Sequence, residues 1–267
     1  MKAGTIALSD GHELPTMAFG TGSTMKFTNV TEYVKQAIDC GFCHIDTASI
    51  YQTEKYIGIV IRESGLPRSS LYITTKYSGG VVREHAQESL EQLGLSYVDL
   101  YLVHKPSTMG DFESSWREFE GLKKDELVKS IGVSNFTIED LKTLLRTAKE
   151  KPVVNQIKLH PYNYAAMQEL LSYCAQHRVV IEAYGCLTSL TKNPGGPVDA
   201  VVDAVAKRRG ATASQILFAW VKSKGAAIVT TSRSEERLRE YLATENLLPL
   251  TPEEIVSIDE AGAKGPL

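Results

Sequence analysis

The chain has 267 residues, 43% of them hydrophobic and 23% charged, with a formal net charge of −3. That length suits one α/β barrel or two small domains, and the slightly acidic balance excludes a general nucleic-acid binder, which carries a basic excess. No apolar run approaches the roughly 20 residues of a membrane span, so no membrane partner is expected. The N-terminal "MKAGTIALSDGHELP" lacks the apolar segment of a secretory leader. Four cysteines are too few for a disulfide framework in a chain of this size, and a reducing, cytoplasmic setting is the expectation.

In chain order, "TIALSDGHELP" places Asp10-Gly11 between two short apolar stretches, a type I′ hairpin signal. Eight short, nearly continuous apolar runs follow, at 15–20, 44–48, 71–77, 98–104, 128–134, 153–159, 179–185 and 226–232. Runs of this kind fit parallel strands covered on both faces. Helical spacing appears over 29–41, 82–94, 137–150, 165–177 and 211–225, with a further helix at 198–209 and others near Ser234 and the C-terminus. Gly stops and the Thr137/Asp140 start signal mark their ends. Successive strands start roughly 25–30 residues apart, the length of a strand plus a crossover helix. Eight such units read as a single (β/α)8 barrel over 1–267, its N-terminal mouth capped by the hairpin.

The chemistry of such a barrel sits at the C-terminal ends of its strands. There the sequence offers Asp46 with Tyr51 just beyond, Lys76, His104, Ser134-Asn135, Asn155-Gln156, Tyr184 and the segment "TTSRSEER". Taken singly, each is an ordinary polar residue; their shared end of one barrel is what brings them together. An ammonium near a phenol favours the phenolate, and a carboxylate beside the ammonium keeps it charged and directed. An imidazole can orient a carbonyl oxygen beside the phenol. The set reads as a device that protonates an oxygen while its carbon receives an electron pair, with a hydride cofactor as donor. A Schiff-base aldolase using Lys76 is the alternative enzyme reading. Cys40-x-x-Cys43 falls at a helix end and a strand start, away from this cluster, and no second pair exists to complete a zinc site. No metal is expected.

"GFCHIDTASIYQTE", "YITTK", "VDLYLVHKP", "GVSNF" and "VVNQIKLHPY" together resemble the motifs of the aldo-keto reductases along nearly the whole chain. The resemblance implies a catalytic tetrad of Asp46, Tyr51, Lys76 and His104, and reversible hydride transfer between a nicotinamide and a small-molecule aldehyde or ketone. It implies that Gly20 and Thr21 lie near the nicotinamide. Ser134, Asn135 and Gln156 would then bind its carboxamide, Tyr184 would stack on its ring and Leu187 would join the cofactor site. The adenosine end falls on Thr231, Ser232, Arg233, Arg237 and Glu240, with Thr231 where relatives often carry Lys. Guanidinium groups near a helix start there favour NADPH over NADH. Gly22 and Lys105 stand where many relatives place Trp, which predicts a wider, more polar substrate pocket around Tyr51 and His104. "TTKY" and "TTSRSEERLREYL" are similar to a fungal branch that reduces α-keto amides and conjugated polyketones. Some relatives act mainly as NADPH-binding regulatory subunits, a second reading. Family habit implies a monomer.

Overall fold

The computed structural model describes residues 4–265. A short antiparallel hairpin comes first, β1 (Thr5–Ala7) against β2 (Glu13–Pro15). The barrel strands are β3 (Met17–Gly20), β4 (His44–Asp46), β5 (Tyr72–Tyr77), β6 (Val98–Val103), β7 (Val128–Ser134), β8 (Val154–Lys158), β9 (Val180–Tyr184) and β10 (Ala227–Thr230). They pair in parallel in chain order, and β10 closes the barrel against both β9 and β3. Each lies inside an apolar run picked out from the sequence. Burial on both sides, by helices outside and packed side chains inside, is what made those runs continuous.

The helices are α1 (Thr31–Cys40), α2 (Glu54–Glu63), α3 (Val82–Leu93), α4 (Phe112–Lys124), α5 (Ile138–Leu145), α6 (Pro161–Gln176), α7 (Thr188–Lys192), α8 (Pro197–Arg209), α9 (Ala213–Ser223), α10 (Glu235–Leu242) and α11 (Pro252–Gly262). Gly41 ends α1 with φ +114°, a backbone setting that a side chain would strain. At Gly58 a Cβ would sit 2.7 Å from the backbone oxygens of Gln92 and Leu93, so α2 packs tightly on the end of α3 only through glycine.

Three details depart from the sequence reading. The hairpin turn is not type I′: Gly11 has positive φ but Asp10 does not. Instead the Gly11 amide donates to Leu8 O and the Leu8 amide to His12 O, a three-residue loop with a left-handed glycine. Asp10 is thereby free to accept from Ser130 Oγ and Lys123 Nζ, which pins the hairpin to the barrel. Helix α5 stops at Leu145 instead of running to residue 150, because the Glu120 carboxylate of α4 captures the amides of Lys149 and Glu150. Between 104 and 128, where the sequence reading marks no helical spacing, Asp111 caps α4, whose Trp116 and Phe119 stack in the core at 5.4 Å.

Candidate active site

Strand ends bring the predicted tetrad together. Asp46 is the last residue of β4, Lys76 lies near the end of β5 and His104 follows β6 directly. Tyr51 stands on a helical turn, Ser49–Tyr51, that Gln52 closes in the left-handed region with φ +57°. Ser49 Oγ donates to Lys76 O and anchors that turn over β5.

Lys76 is fully buried, and its ammonium donates to Asp46 Oδ1 at 2.6 Å, Asp46 Oδ2 at 2.7 Å and Thr47 O at 2.8 Å. Burial alone pulls its pKa down, but Asp46 and Tyr51 more than offset this and leave it above the usual lysine value. The ammonium lies 5.5 Å from the centre of the Tyr51 ring. All three of its hydrogens being committed, it acts on Tyr51 through space and not through a hydrogen bond. Burial raises the Tyr51 pKa further than Lys76 lowers it, and Asp46 adds to the rise. The sequence-based expectation of a lowered phenol is therefore reversed in sign, and Tyr51 holds its proton at neutral pH. Tyr51 Oη lies 3.3 Å from His104 Nε2, and Ser78 Oγ lies 3.1 Å from His104 Nδ1. Burial first, and then the charges of Lys76, Lys26 and Lys105, push His104 down to about 3, so the imidazole is neutral.

A cleft of about 490 Å³ opens over this cluster. One end is Tyr51 and His104; the other reaches Arg237 and Tyr241. Gly20, Gly22, Asp46, Ser134, Asn135, Gln156, Tyr184, Leu187 and Thr231 also face it. Asn135, with φ +62°, donates to His104 O and Ser134 Oγ and accepts from Tyr184 Oη at 2.8 Å. These bonds tie the ends of three strands into one wall.

Other predicted residues turn elsewhere. Thr21 is buried behind the wall, bonded to Thr53 Oγ1 and Asp46 O. Ser232 accepts from the Ser234 amide, and Arg233 donates to Thr24 O while lying 5.3 Å from the Tyr33 ring centre. Glu240 accepts from Thr212 Oγ1 at 2.6 Å and so faces α9; its neighbour Tyr241 lines the cleft in its place. Lys105 is exposed and does not line the cleft.

The sequence reading missed Lys26, which lines the cleft with its ammonium 4.6 Å from the Tyr51 ring centre. Its loop carries no periodic pattern, so nothing marked it. Gly22 helps explain the close approach there: a Cβ on it would meet Tyr51 Cε2 at 3.1 Å. Also missed were Thr188 and Lys192 of α7, and Glu182. Glu182 did leave a signal. It is an acid within an apolar strand, two residues before Tyr184 and hence on the same, inward face. Cys40 and Cys43 sit at the opposite mouth, where burial raises the Cys40 thiol. Among the described residues no group of three or more His, Cys, Asp or Glu side chains could hold a metal ion, and no helix is long and apolar enough to cross a membrane.

Fold and site thus define a (β/α)8 barrel with an acid–base cluster at its strand ends. Residues 14–263 match the profile of the aldo/keto reductase family. The chain is 35% identical to the NAD/NADP-dependent indole-3-acetaldehyde reductase of Schizosaccharomyces pombe, over 96% of this chain and 93% of that protein. It is 36% identical to the glyoxal reductase of Bacillus subtilis, over 88% of this chain and 85% of the relative. The Bombyx mori aldo-keto reductase, solved in complex with NADP, superposes with a TM-score of 0.88 at 30% identity, covering 98% of this chain and 93% of the other. The chain belongs to the aldo-keto reductase family.

Proposed function

We propose that this protein is a nicotinamide-dependent reductase of aldehydes or ketones, using NADPH in preference to NADH, with Tyr51 as general acid. The observation that carries the reading is the Tyr51 phenol 3.3 Å from His104 Nε2 at the head of the cleft, with the buried Lys76–Asp46 pair beneath.

The cleft suits a dinucleotide. At Gly20, which lines it, a Cβ would strike Val229 Cγ1 at 2.8 Å, so only glycine lets β3 pack this closely on β10. Asn135 and Gln156 offer amides midway, Tyr184 a ring, and Thr188 and Lys192 of α7 polar groups with Leu187 at its start. At the far end Arg237 makes no ion pair among the described residues and sits in the first turn of α10, where Ser234 Oγ accepts from its amide and the guanidinium and the positive helix end together favour a phosphate. Thr231 lines that end, while Ser232 and Arg233 shape the turn leading to it.

A bound reduced nicotinamide supplies the hydride that adds to the carbonyl carbon. The chain's residues do the rest. In the tautomer where Ser78 Oγ donates to Nδ1, His104 carries its hydrogen on Nε2 and can direct it at the carbonyl oxygen beside Tyr51. Tyr51 Oη gives its proton to that oxygen as the C=O π bond breaks, which yields the alcohol. The phenolate left behind is stabilised by the Lys76 ammonium, which Asp46 and Thr47 O hold in place. Water at the cleft mouth returns the proton to Tyr51. A Schiff base on Lys76 would need a free amine, and this ammonium has every hydrogen bound to oxygen.

Two of the relatives are named for an aldehyde and for the dicarbonyl glyoxal, and Lys26 beside Tyr51 favours polar or anionic members of such a class. Loss of reduced-nicotinamide absorbance, with NADPH and NADH in parallel against glyoxal-type dicarbonyls and aryl aldehydes, tests the proposal. Turnover with NADPH is expected. A folded protein that binds NADPH and turns over no carbonyl would favour the regulatory-subunit reading instead.

A further inference from the structure

Glu182 is a fully buried acid at the centre of the barrel, and the chemistry above does not use it. It pairs in register with Gln156 across β9 and β8. Gln156 Nε2 donates at 2.6 Å to Glu182 Oε2 and at 2.8 Å to Asp46 Oδ2. Both amide hydrogens are therefore engaged by carboxyl oxygens. That fixes which way round the amide stands, because a flipped Gln156 would set its own oxygen against the Asp46 carboxylate and, with the Glu182 proton on the unpartnered Oε1, against Glu182 Oε2 as well. Gln156 lines the cleft, and its Oε1 takes no hydrogen bond from the described residues, so a carbonyl oxygen is what it shows to a ligand.

The same geometry places two acids around one cation. Asp46 already holds the Lys76 ammonium in both its oxygens. Glu182 has no cation of its own. From β4, His44 Nε2 lies 3.9 Å from Glu182 Oε1, but burial pushes His44 down to about 3 and it stays neutral. From β5, Tyr72 is a buried phenol held above its usual pKa, also neutral. β10 offers Ala227 opposite Glu182 and no charge. Glu182 Oε1 has no hydrogen-bond partner among the described residues.

We propose, building on the reductase reading, that Glu182 is a positioning residue of the site: it locks the Gln156 amide with Oε1 toward the cleft, and its ionisation sets an alkaline limit on reduction. In the protonated form, Asp46, Lys76 and Glu182 sum to zero charge. Ionised Glu182 makes the sum −1, which opposes the phenolate that forms when Tyr51 gives up its proton. Burial first, then the Asp46 charge, raises Glu182 to about 8, so the change falls in the working range.

The test compares wild type with Glu182→Gln and Glu182→Leu, measuring Kd for NADPH by fluorescence titration and kcat/KM for one carbonyl from pH 6 to pH 10. Glutamine keeps an acceptor for Gln156 but cannot ionise. It should hold Kd within about twofold while the decline of kcat/KM through pH 8 disappears. Leucine removes the acceptor and should weaken NADPH binding about tenfold, the scale of one lost hydrogen bond. A wild-type decline near pH 8 that survives unchanged in Glu182→Gln would overturn the charge role. A leucine variant that folds and binds NADPH like wild type would overturn the locking role; if leucine does not fold, the glutamine profile decides. Absence of wild-type turnover would instead count against the reductase reading itself.

Discussion

Replacing Lys76 with methionine removes a charge from the driest part of the site. The stem is retained, but three hydrogen bonds at 2.6, 2.7 and 2.8 Å are lost together. Asp46, only 3% exposed, keeps the Gln156 amide and loses its counter-ion. Removing one partner of a buried pair costs about 3–5 kcal/mol, because the other charge stays desolvated. For a chain of this length that corresponds to a fall in Tm of roughly 6–15 °C. Adding Asp46→Asn removes the orphaned charge, so the double variant should regain all but about 1–2 kcal/mol. Urea denaturation of wild type, both single variants and the double variant gives the four free energies. Carbonyl reduction should fall about a hundredfold or more in Lys76→Met and stay low in the double variant, since neither supplies the ammonium that faces the phenolate. A loss of less than about 1 kcal/mol in Lys76→Met, or a double variant no more stable than that single one, would refute this picture of a buried, mutually dependent pair.

Three further outcomes are expected. Arg237→Met should weaken NADPH binding roughly 10–100-fold, the worth of a charge-assisted phosphate contact, and leave NADH within about twofold; equal losses for both cofactors would place the phosphate elsewhere. Lys26→Met should lower the ratio of kcat/KM for a 2-oxo acid to that for an uncharged vicinal diketone by about 3–5-fold, the scale of a half-exposed charge pair. An unchanged ratio would mean that Lys26 does not meet the substrate. Because burial and three ammonium groups hold His104 down to about 3, kcat/KM should show no acid limb near 6.5, the ordinary histidine value that the same group would otherwise have. A limb there that vanishes in His104→Gln would show the imidazole titrating freely.

The barrel was legible because all eight strands are covered on both faces, which writes continuous apolar runs into the sequence. The clustering of Asp46, Tyr51, Lys76 and His104 was legible because they lie at, or just beyond, strand ends, where a polar residue breaks the run. Asp46, Lys76 and His104 are such breaks, and all three meet in the structure. What sequence order does not carry is direction within a loop. Glu240 and Tyr241 are adjacent, yet Glu240 turns to Thr212 of α9 and Tyr241 faces the cleft. Lys105 follows His104 directly but points to solvent, while Lys26, from a loop without periodicity, approaches Tyr51. The phenol's pKa direction was also beyond reach, since it depends on burial outweighing a nearby charge. The hairpin turn shows the same limit on a smaller scale. Asp10-Gly11 marked the right place, but tertiary bonds from Ser130 and Lys123 to Asp10 accompany a different turn.

In the proposed reaction the Tyr51 phenol delivers the proton. Tyr51→Phe removes one oxygen and keeps the ring that packs against His104 and Gly22. The decisive measurement is its carbonyl reduction with NADPH, alongside a fluorescence titration of NADPH binding to the same preparation. kcat should fall about a hundredfold or more, with Kd for NADPH within about threefold of wild type. Turnover at the wild-type rate by this variant would contradict that role of Tyr51 and assign the proton to another group.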